Sequence, residues 1–275
     1  MKGRQIMTLI ISLLLVGSSL ILYAHFIEPK RLVVGQHSLT ANKQSSETVR
    51  IVQFSDVHLS RFFTLNDFEK VIHKINAQKP DLIVFTGDLF DNFSQYGPSE
   101  AADLLGQLNA PLGKFAVYGN HDYGGGAAQG YHQVMNAGGF TVLLNEGQTV
   151  ATTGGHQLFL AGVDDGLLGN AALQETFLTM PKSDYSILLA HEPDLADYLT
   201  NENVQLVLSG HSHGGQVKLP FFTVKNQLAK HYTAGFYTLE RPQPTKLYVS
   251  SGIGTTALPL RFGVPPRIEC FDINL

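Results

Sequence analysis

The stretch RIVQFSDVH, residues 50–58, joins an apolar run to two side chains that can bind a metal ion. Its first five residues predict a buried β-strand, because apolar side chains dominate a run of strand length. Asp56 and His58 follow directly, so both would lie at the carboxyl end of this strand. The same arrangement, a strand followed by Asp, Asn or His, recurs along the chain and predicts both the fold and the site.

Strands and helices alternate in the first half of the globular part. Strands are predicted at residues 50–54, 82–85 and 115–118, and apolar residues at helical spacing lie between them at 65–75 and 99–108. Such strand–helix–strand repeats favour parallel pairing. The second half contains shorter predicted strands, at residues 141–144, 158–163, 187–190, 204–208, 232–237, 247–250 and 268–271. We therefore expect one α/β domain with two packed sheets.

Polar clusters follow the later strands as well. Asp88 follows the second strand, GNHD at residues 119–122 follows the third, His191 follows a fourth, and GHSH at residues 210–213 follows a fifth. The carboxyl ends of strands in an α/β sheet meet at one crevice, where ligands bind. These clusters should therefore converge at one rim of the domain.

Each cluster taken alone has an ordinary explanation. Asp-x-His can be a solvated pair or a helix cap, Gly-Asp is common in turns, and Asn-His-Asp can open a helix. The pair His211 and His213 is a stronger signal, because one glycine-bracketed loop can present both rings to two metals. Together the clusters supply more ligands than one ordinary metal needs and suit two ions that share a carboxylate. The candidates are Asp56, His58, Asp88, Asn120, His191, His211 and His213.

The order of these clusters and their placement after strands resemble the calcineurin-like metallophosphoesterase family. The resemblance extends from Val49 nearly to the C-terminus, and residues 214–221 and 250–255 are similar to a membrane-anchored bacterial branch of that family. Some members of the branch are UDP-2,3-diacylglucosamine pyrophosphatase-like. The resemblance implies the metallophosphoesterase sandwich, an α/β fold of two packed mixed β-sheets flanked by helices.

The resemblance also implies roles for individual residues. His121 would be the acid that protonates the leaving group rather than a ligand, and Asp122 would orient His121. Asp88 would bridge two divalent ions, for which Mn, Fe and Zn are equally suitable. The remaining ligands would divide into Asp56, His58 and His213 for the first ion, and Asn120, His191 and His211 for the second.

Two adjacent divalent ions suit hydrolysis at phosphorus, because they lower the pKa of bound water and neutralise phosphate charge. We therefore predict hydrolysis of phosphodiester or pyrophosphate bonds by a metal-bridging hydroxide. A proton from His121 would assist by about 10²–10⁴-fold. A broad phosphodiesterase or phosphomonoesterase acting on soluble substrates is the alternative enzyme. A non-catalytic, membrane-tethered binding protein is the alternative of another class.

The N-terminal part of the chain predicts a membrane anchor. Residues 6–27 contain no Asp, Glu, Lys or Arg, and as a helix they would span about 33 Å, enough for the hydrocarbon core. We predict an anchor helix over residues 1–27, a polar linker over 28–48 and the catalytic domain over 49–275. A cleaved signal peptide is the alternative, which the long apolar run and the poor cleavage site at residues 22–24 disfavour.

The sequence gives only a weak signal for the side of the membrane on which the catalytic domain lies. Lys2 and Arg4 precede the apolar run while Lys30 and Arg31 follow it, so the positive-inside rule nearly cancels. The free amino terminus favours a cytoplasmic N-terminus and an extracytoplasmic catalytic domain.

Composition narrows the range of partners. The formal net charge is −4 and no Lys/Arg run is present, so we expect no specific nucleic-acid binding. The single cysteine, Cys270, makes an intrachain disulfide impossible. No protein partner is inferred. The expected partners are a phosphoester or pyrophosphate substrate and the membrane.

Phenylalanines beside the metal-motif loops point to the kind of substrate. Phe62, Phe63, Phe221 and Phe222 could pack in the core, or they could form an apolar lip for a lipid tail. Together with the anchor, the second interpretation favours a lipid-linked substrate. Residues 252–257 match a dinucleotide-binding string, but prolines follow too closely for a helix, so we expect a loop at the rim of the site.

Overall fold

The N-terminal residues form one long, exposed helical segment. The computed structural model describes residues 2–41, 47–91, 98–124, 128–178, 180–223 and 225–275. Helix α1, Lys2–Leu22, continues through a π-helical turn at Tyr23–Ile27 and a 3₁₀ turn at Glu28–Lys30. The segment Gly3–Lys30 is long and apolar enough to cross a membrane, and its most apolar stretch is not buried against the domain.

The first large sheet contains the parallel strands that were predicted for the first half. Its strands, in spatial order, are β1 (Val33–Thr40), β14 (Arg267–Asn274), β2 (Thr48–Phe54), β3 (Leu82–Phe85), β4 (Lys114–Ala116) and β5 (Thr141–Val142). Only the β14–β2 pair is antiparallel. Its outer face is covered by helices, with apolar side chains buried between sheet and helices. The helices of this half are α2 (Leu65–Asn76), α3 (Pro98–Gly106), α4 (Asn120–Tyr123) and α5 (Ala128–Ala137).

The second large sheet is also mixed. In spatial order its strands are β12 (Gly235–Leu239), β13 (Thr245–Val249), β9 (Leu206–Ser209), β8 (Tyr185–Leu189), β7 (Gln157–Gly162) and β6 (Glu146–Ala151). The four inner strands are parallel and the two edge strands are antiparallel to their neighbours. Helix α6 (Leu173–Phe177), 3₁₀ turns at Pro193–Tyr198 and His213–Gly215, and a small hairpin of β10 (Lys218–Leu219) and β11 (Phe222–Thr223) complete the described elements.

The two large sheets pack face to face over a shared apolar core. Ile51 and Val84 from the first sheet belong to the same buried cluster as Leu160, Leu189 and Leu208 from the second. Apolar side chains recur at alternate positions, so each of these strands directs one row into this layer. The predicted α/β fold of two packed mixed sheets flanked by helices, with one apolar N-terminal helix, is confirmed.

The structure differs from the expected linker over residues 28–48. Val33–Thr40 within it form β1, which pairs along its whole length with β14. The strand is half-exposed, with one fully buried residue in its alternating pattern, so its residues carry little strand signal. His37 contacts Glu269 of β14 at 2.7 Å, which ties the segment to the domain. Residues 42–46 lie outside the described residues, and the domain boundaries at 27 and 48 stay predictions.

Candidate metal centre

Each candidate ligand lies shortly after a strand, and all of these segments meet at one rim. Asp56 and His58 follow β2, Asp88 follows β3, and Asn120 begins α4 beyond β4. From the second sheet, His191 follows β8, while His211 and His213 follow β9. Both sheets therefore contribute to one cluster, as the parallel pairing of their inner strands requires.

Asp88 lies at the middle of this cluster. Its Oδ2 atom is 3.4 Å from Nε2 of His58 and 3.3 Å from Nε2 of His191. These two histidines come from different sheets, so one carboxylate oxygen joins the two halves of the site. This is the position that a bridging carboxylate between two ions would need.

The other candidate ligands form a group on each side of Asp88. On one side, Nε2 of His213 lies 3.1 Å from Nε2 of His58 and 3.5 Å from Oδ1 of Asp56. On the other side, Nδ1 of His211 lies 3.0 Å from Oδ1 of Asn120 and 3.3 Å from Nε2 of His191. The structure thus brings together all the side chains that the sequence singled out as ligands.

The backbone at these ligands adopts an unusual conformation. Left-handed φ angles are rare for residues other than glycine and cost of order 1–3 kcal/mol each. Neighbouring hydrogen bonds hold the strained loops in place, for example from the backbone N–H of His211 to Oδ1 of Asp56, at 2.9 Å. Such strain concentrates where function requires an exact side-chain direction. The ligands with positive φ are Asp56 (52°), His58 (47°), Asp88 (63°), His211 (66°) and His213 (50°).

Backbone carbonyls determine the tautomers of two histidines. Nδ1 of His191 donates to the carbonyl of Thr86 at 2.6 Å, and Nε2 of His211 donates to the carbonyl of Gln227 at 2.7 Å. In the neutral ring the opposite nitrogen then has no proton and directs its lone pair into the cluster. A second ring nitrogen bound in this way is the usual support of a metal-binding histidine.

The charges of the cluster also fit a bound cation. The Nε2 atoms of His58 and His213 face each other at 3.1 Å, a distance at which two lone pairs must share a proton or a cation. Burial opposes charge on His58, but Asp88 and Asp91 outweigh it and raise its pKa to about 9. Burial and the neighbouring charge of His58 instead hold the pKa of His213 well below its usual range. A divalent ion would satisfy both rings at once, so this oxygen-and-imidazole donor set fits such ions.

His121 lies at the exposed rim of the cluster, with a ring nitrogen within 4.8 Å of the ligand atoms of His58 and Asp88. Its ring packs edge-on against His58 with centroids 4.7 Å apart, and its side chain is 31% exposed. Nδ1 lies 3.6 Å from Oδ1 of Asp91, which also lies 3.4 Å from Nδ1 of His58. Sequence reasoning missed Asp91, although a second Asp three residues after Asp88 was a usable signal.

Asp122 contacts the backbone around Asp88, a contact that the sequence analysis did not predict. Its buried carboxylate accepts hydrogen bonds from the backbone N–H groups of Asp88 at 2.7 Å and of Leu89 and Gly119 at 2.9 Å each. Burial and the nearby charge of Asp88 raise the pKa of Asp122 to about 7. Asp122 therefore supports the Asp88 loop, and its role in orienting His121 stays a prediction. The backbone N–H of His121 itself donates to Oδ1 of Asp88 at 2.9 Å.

A loop from the late part of the chain supports Asp56. The backbone N–H groups of Ile253 and Gly254 donate to the Asp56 carbonyl at 3.2 and 2.7 Å. A Cβ atom on Gly254 would lie 2.1 Å from the carbonyl oxygen of Val57, so only glycine allows this close approach. Residues 250–256 contain no helix, which agrees with the expected loop at the rim of the site.

Arg261 holds that loop from behind. Its fully buried guanidinium donates to the carbonyls of Gly254, Ser251 and Val264. Its backbone N–H donates to the carbonyl of Ala24 at the end of the N-terminal helical segment, at 2.9 Å. Sequence reasoning did not find Arg261, because its partners are carbonyls that carry no sequence signal.

Comparison with known proteins agrees with this geometry. Residues 49–215 match the family described as calcineurin-like phosphoesterase. The chain belongs to that family. It is 44% identical over 257 residues to an uncharacterized metallophosphoesterase, YkuE, of Bacillus subtilis, covering 92% of this chain and 89% of the relative. Membership makes the chain a metal-dependent phosphoester hydrolase.

Two further relatives have more specific names. Phosphodiesterase YaeI of Escherichia coli is 30% identical, with 91% of this chain and 92% of the relative covered. UDP-2,3-diacylglucosamine pyrophosphatase LpxG of Chlamydia muridarum is 25% identical, with 90% and 91% covered. Among solved structures, the NAD nucleotidase NadN of Haemophilus influenzae has a TM-score of 0.53 at 14% identity and shares the fold. The alignment covers 75% of this chain but only about half, 51%, of NadN.

Proposed function

We propose that this protein is a membrane-anchored, dinuclear-metal phosphohydrolase that cleaves phosphodiester or pyrophosphate bonds of a lipid-linked substrate. The observation that carries the proposal is the position of the Asp88 carboxylate between two separate groups of ligands, within 3.4 Å of a histidine from each. The first ion would be held by Asp56, His58 and His213, and the second by Asn120, His191 and His211.

The ions, when bound, would activate a water molecule and offset the negative charge of the phosphate. Mn, Fe and Zn are the candidates that this donor set suits. The protein contributes the acid. His121 is partly exposed at the rim and its Nδ1 faces Asp91, so Nε2 is the ring atom that can give a proton to the departing oxygen. Asn120 supplies an oxygen without adding negative charge where the phosphate must bind.

The lipid-linked substrate is supported by the chain's own architecture. An apolar segment, Gly3–Lys30, runs directly into the domain. Phe62, Phe221 and Phe222 of the expected lip are exposed, while Phe63 packs against the core. The relatives named phosphodiesterase and UDP-2,3-diacylglucosamine pyrophosphatase favour the two bond types.

Hydrolysis of bis-p-nitrophenyl phosphate by the full chain tests the proposal. The detergent-solubilised protein is stripped of metal and assayed before and after addition of Mn²⁺ or Zn²⁺. We expect metal-dependent cleavage in the wild type and in Asp103→Asn, a control that makes the same change on the exposed face of α3. Asp88→Asn should lose both turnover and bound metal.

Two outcomes would count against this function. Full turnover in Asp88→Asn would show that the carboxylate bridges nothing needed for the chemistry. A metal-replete wild type that hydrolyses neither this ester nor lipid pyrophosphates would favour the non-catalytic binding protein. The soluble-substrate alternative would be favoured if nucleotide esters were cleaved far faster than any lipid-linked ester.

The proposed membrane side can be tested through cysteine labelling. Because Cys270 is the only cysteine and is buried, an added exposed cysteine would be labelled selectively. In intact bacterial cells, we expect a membrane-impermeant maleimide to label Ser99→Cys but not Gly3→Cys. The reverse pattern would place the catalytic domain in the cytoplasm.

A further inference from the structure

A cavity of about 310 Å³ lies where the N-terminal helical segment joins the domain. We call it the helix-end pocket. Phe26 and Lys30 contribute from the helical segment, Arg61 and Phe62 from the loop after His58, and Ile253 and Gly254 from the loop that supports Asp56. Its volume is at the lower end of the range for small-molecule sites, so it suits part of one lipid molecule.

The helix end that forms one wall is fixed to the domain. The carboxylate of Glu28 is buried and accepts the backbone N–H of Val264 at 2.6 Å. Nδ1 of His25 lies 2.8 Å from the carbonyl of Pro259. These contacts hold the helical segment in place against the pocket. The pocket therefore lies beside the last turns of a helix that is long enough to cross a membrane.

The pocket combines apolar walls with two uncompensated cations. Phe26 is 56% and Phe62 is 50% exposed, although the ring of His25 packs edge-on against Phe26. Among the lining residues, Lys70 pairs with Asp67 at 3.0 Å. Within the described part of the chain, Lys30 and Arg61 have no carboxylate within 4 Å, and the guanidinium of Arg61 stacks 4.6 Å from the ring of Phe62. An apolar tail joined to an anionic group matches this pattern.

The pocket shares a wall with the metal centre. Gly254 lines the pocket on one side, and on the other its backbone N–H donates to the Asp56 carbonyl. A Cβ atom on Gly254 would also lie 3.1 Å from Cβ of His58, so the backbone here approaches the metal-ligand loop closely. A lipid tail in the pocket would therefore hold its phosphate near the loops that carry the first group of ligands.

We infer that the helix-end pocket binds one acyl chain of the lipid-linked substrate, taken directly from the membrane, with Lys30 and Arg61 attracting its anionic headgroup towards the metal centre. This inference rests on the proposed function and adds the residues that select the substrate. The occupant is a membrane lipid rather than a soluble amphiphile, because the pocket adjoins the last turn of the apolar segment. Cations there would lie at headgroup depth, where lipid phosphates are found.

Fluorescence quenching tests binding without relying on catalysis. The chain contains no tryptophan, so Phe62→Trp introduces a single indole at the pocket. The full chain, free of metal and held in bilayer discs of zwitterionic lipid, is titrated with 8-bromooctyl phosphate. We expect saturable quenching that unbrominated octyl phosphate reverses. Replacing both cations, by Lys30→Ala with Arg61→Ala, should weaken the affinity about tenfold.

Phe221→Trp is the matched control. Phe221 is fully exposed on the small hairpin and does not line the pocket, so its quenching should be linear in ligand and insensitive to competition. Equal, saturable quenching at both positions would overturn the pocket in favour of a general apolar lip. Quenching that stays linear at Phe62→Trp would also overturn it. If a second copy of this chain occupied the pocket, the indole emission would depend on protein concentration in the absence of ligand. That result would overturn the lipid as occupant.

Chain-length dependence links the pocket to the proposed reaction. With p-nitrophenyl alkyl phosphates, kcat/KM should rise about two- to fourfold for each added methylene until the pocket is full. Thr255→Phe, which narrows the pocket, should flatten this slope. If wild-type turnover is measurable but kcat/KM does not change with alkyl chain length, the acyl-chain assignment is overturned. The proposed hydrolase function is then unaffected. Absence of all turnover would count against the proposed function, while the quenching titration would still decide the pocket.

Discussion

The metal centre and the helix-end pocket share the wall at Gly254, yet they are built in opposite ways. The charged and imidazole ligands of the centre are buried, and their loops are fixed by backbone hydrogen bonds at left-handed φ angles. The pocket is lined by half-exposed rings and by cations on flexible stems. Strained loops preserve one geometry, whereas exposed aromatic and basic side chains can change without unfolding the domain.

The difference indicates that two regions in contact at Gly254 have different functions. The proposed centre would determine which bond can be broken, because its candidate ligands have little freedom of position. The pocket would determine which molecule is held there, because its contacts depend on tail length and phosphate charge. Substitutions should therefore separate turnover, metal binding and substrate choice.

Among these variants, His121→Ala should separate the loss of turnover from the loss of bound metal most strongly. The ring is 31% exposed at the rim and is not among the predicted ligands, so its loss should spare metal content. Without an acid for a poor leaving group, turnover should fall by about 10²–10⁴-fold. The measurement is kcat for an alkyl phosphodiester beside metal analysis of the same sample. Equal loss of metal and turnover would make His121 a ligand instead of the acid.

A p-nitrophenolate leaving group provides the control for His121→Ala. This group departs readily without a proton, so the defect should shrink when it replaces the alkoxide. A defect of the same size for both leaving groups would contradict the acid role. Wild-type protein assayed with both esters gives the reference ratio.

Asp122→Asn should have the next largest effect. In the wild type, the backbone N–H groups of Asp88 and Leu89 donate to the two carboxylate oxygens of Asp122. The Asn side chain keeps one of these oxygens and replaces the other by an NH₂ group, so one of the two backbone N–H groups loses its acceptor. The Asp88 loop should shift, with about 10–100-fold loss of metal affinity or activity, as is common when groups that support a ligand change. Metal titration followed by assay at saturating metal distinguishes the two losses.

Asp81→Asn is the matched control for Asp122→Asn. Asp81 also accepts a backbone N–H, from Arg50 at 2.7 Å, but it precedes β3 and so lies at the opposite end of the sheet from Asp88. Its substitution should leave metal affinity unchanged. A comparable loss in both variants would mean that Asp122 acts through general stability.

Arg261→Met tests the wall that joins the two regions. The change leaves the buried carbonyls of Gly254, Ser251 and Val264 without their donor, which should lower the free energy of unfolding by about 2 kcal/mol. Because the same loop supports Asp56, metal affinity should fall as well. Thermal unfolding at fixed metal and a metal titration measure the two effects.

Arg241→Met controls for the loss of a partly buried arginine elsewhere. Arg241 donates to the carbonyls of Thr200 and Glu202 on the second sheet's side of the molecule. It should destabilise the fold without changing metal affinity. If both variants lost metal equally, the loop behind Asp56 would have no special role.

That these side chains meet at one rim was predictable from sequence, whereas the contacts that support them were not. Apolar runs followed by Asp, Asn or His are local signals, and parallel strands bring their ends together without further information. Asp122 acts on Asp88 across 34 positions, and Arg261 acts through carbonyls, so neither contact is encoded by residue type. The edge strand β1 was not predicted, because apolar and polar residues do not alternate regularly along its half-exposed sequence. The fold class thus follows from patterns, while the positioning contacts follow from packing.

The smallest expected effect is that of Phe62→Ser on the fold and the metal centre. The ring is half exposed and stacks against the guanidinium of Arg61, so its loss should change the free energy of unfolding by no more than about 0.5 kcal/mol. Metal affinity should stay at the wild-type value, although the same variant should weaken preference for long alkyl esters. Thermal unfolding, metal titration and the chain-length slope are measured on one preparation. Loss of metal together with the slope would mean that pocket and centre are one cooperative unit, and the division between chemistry and recognition would then fail.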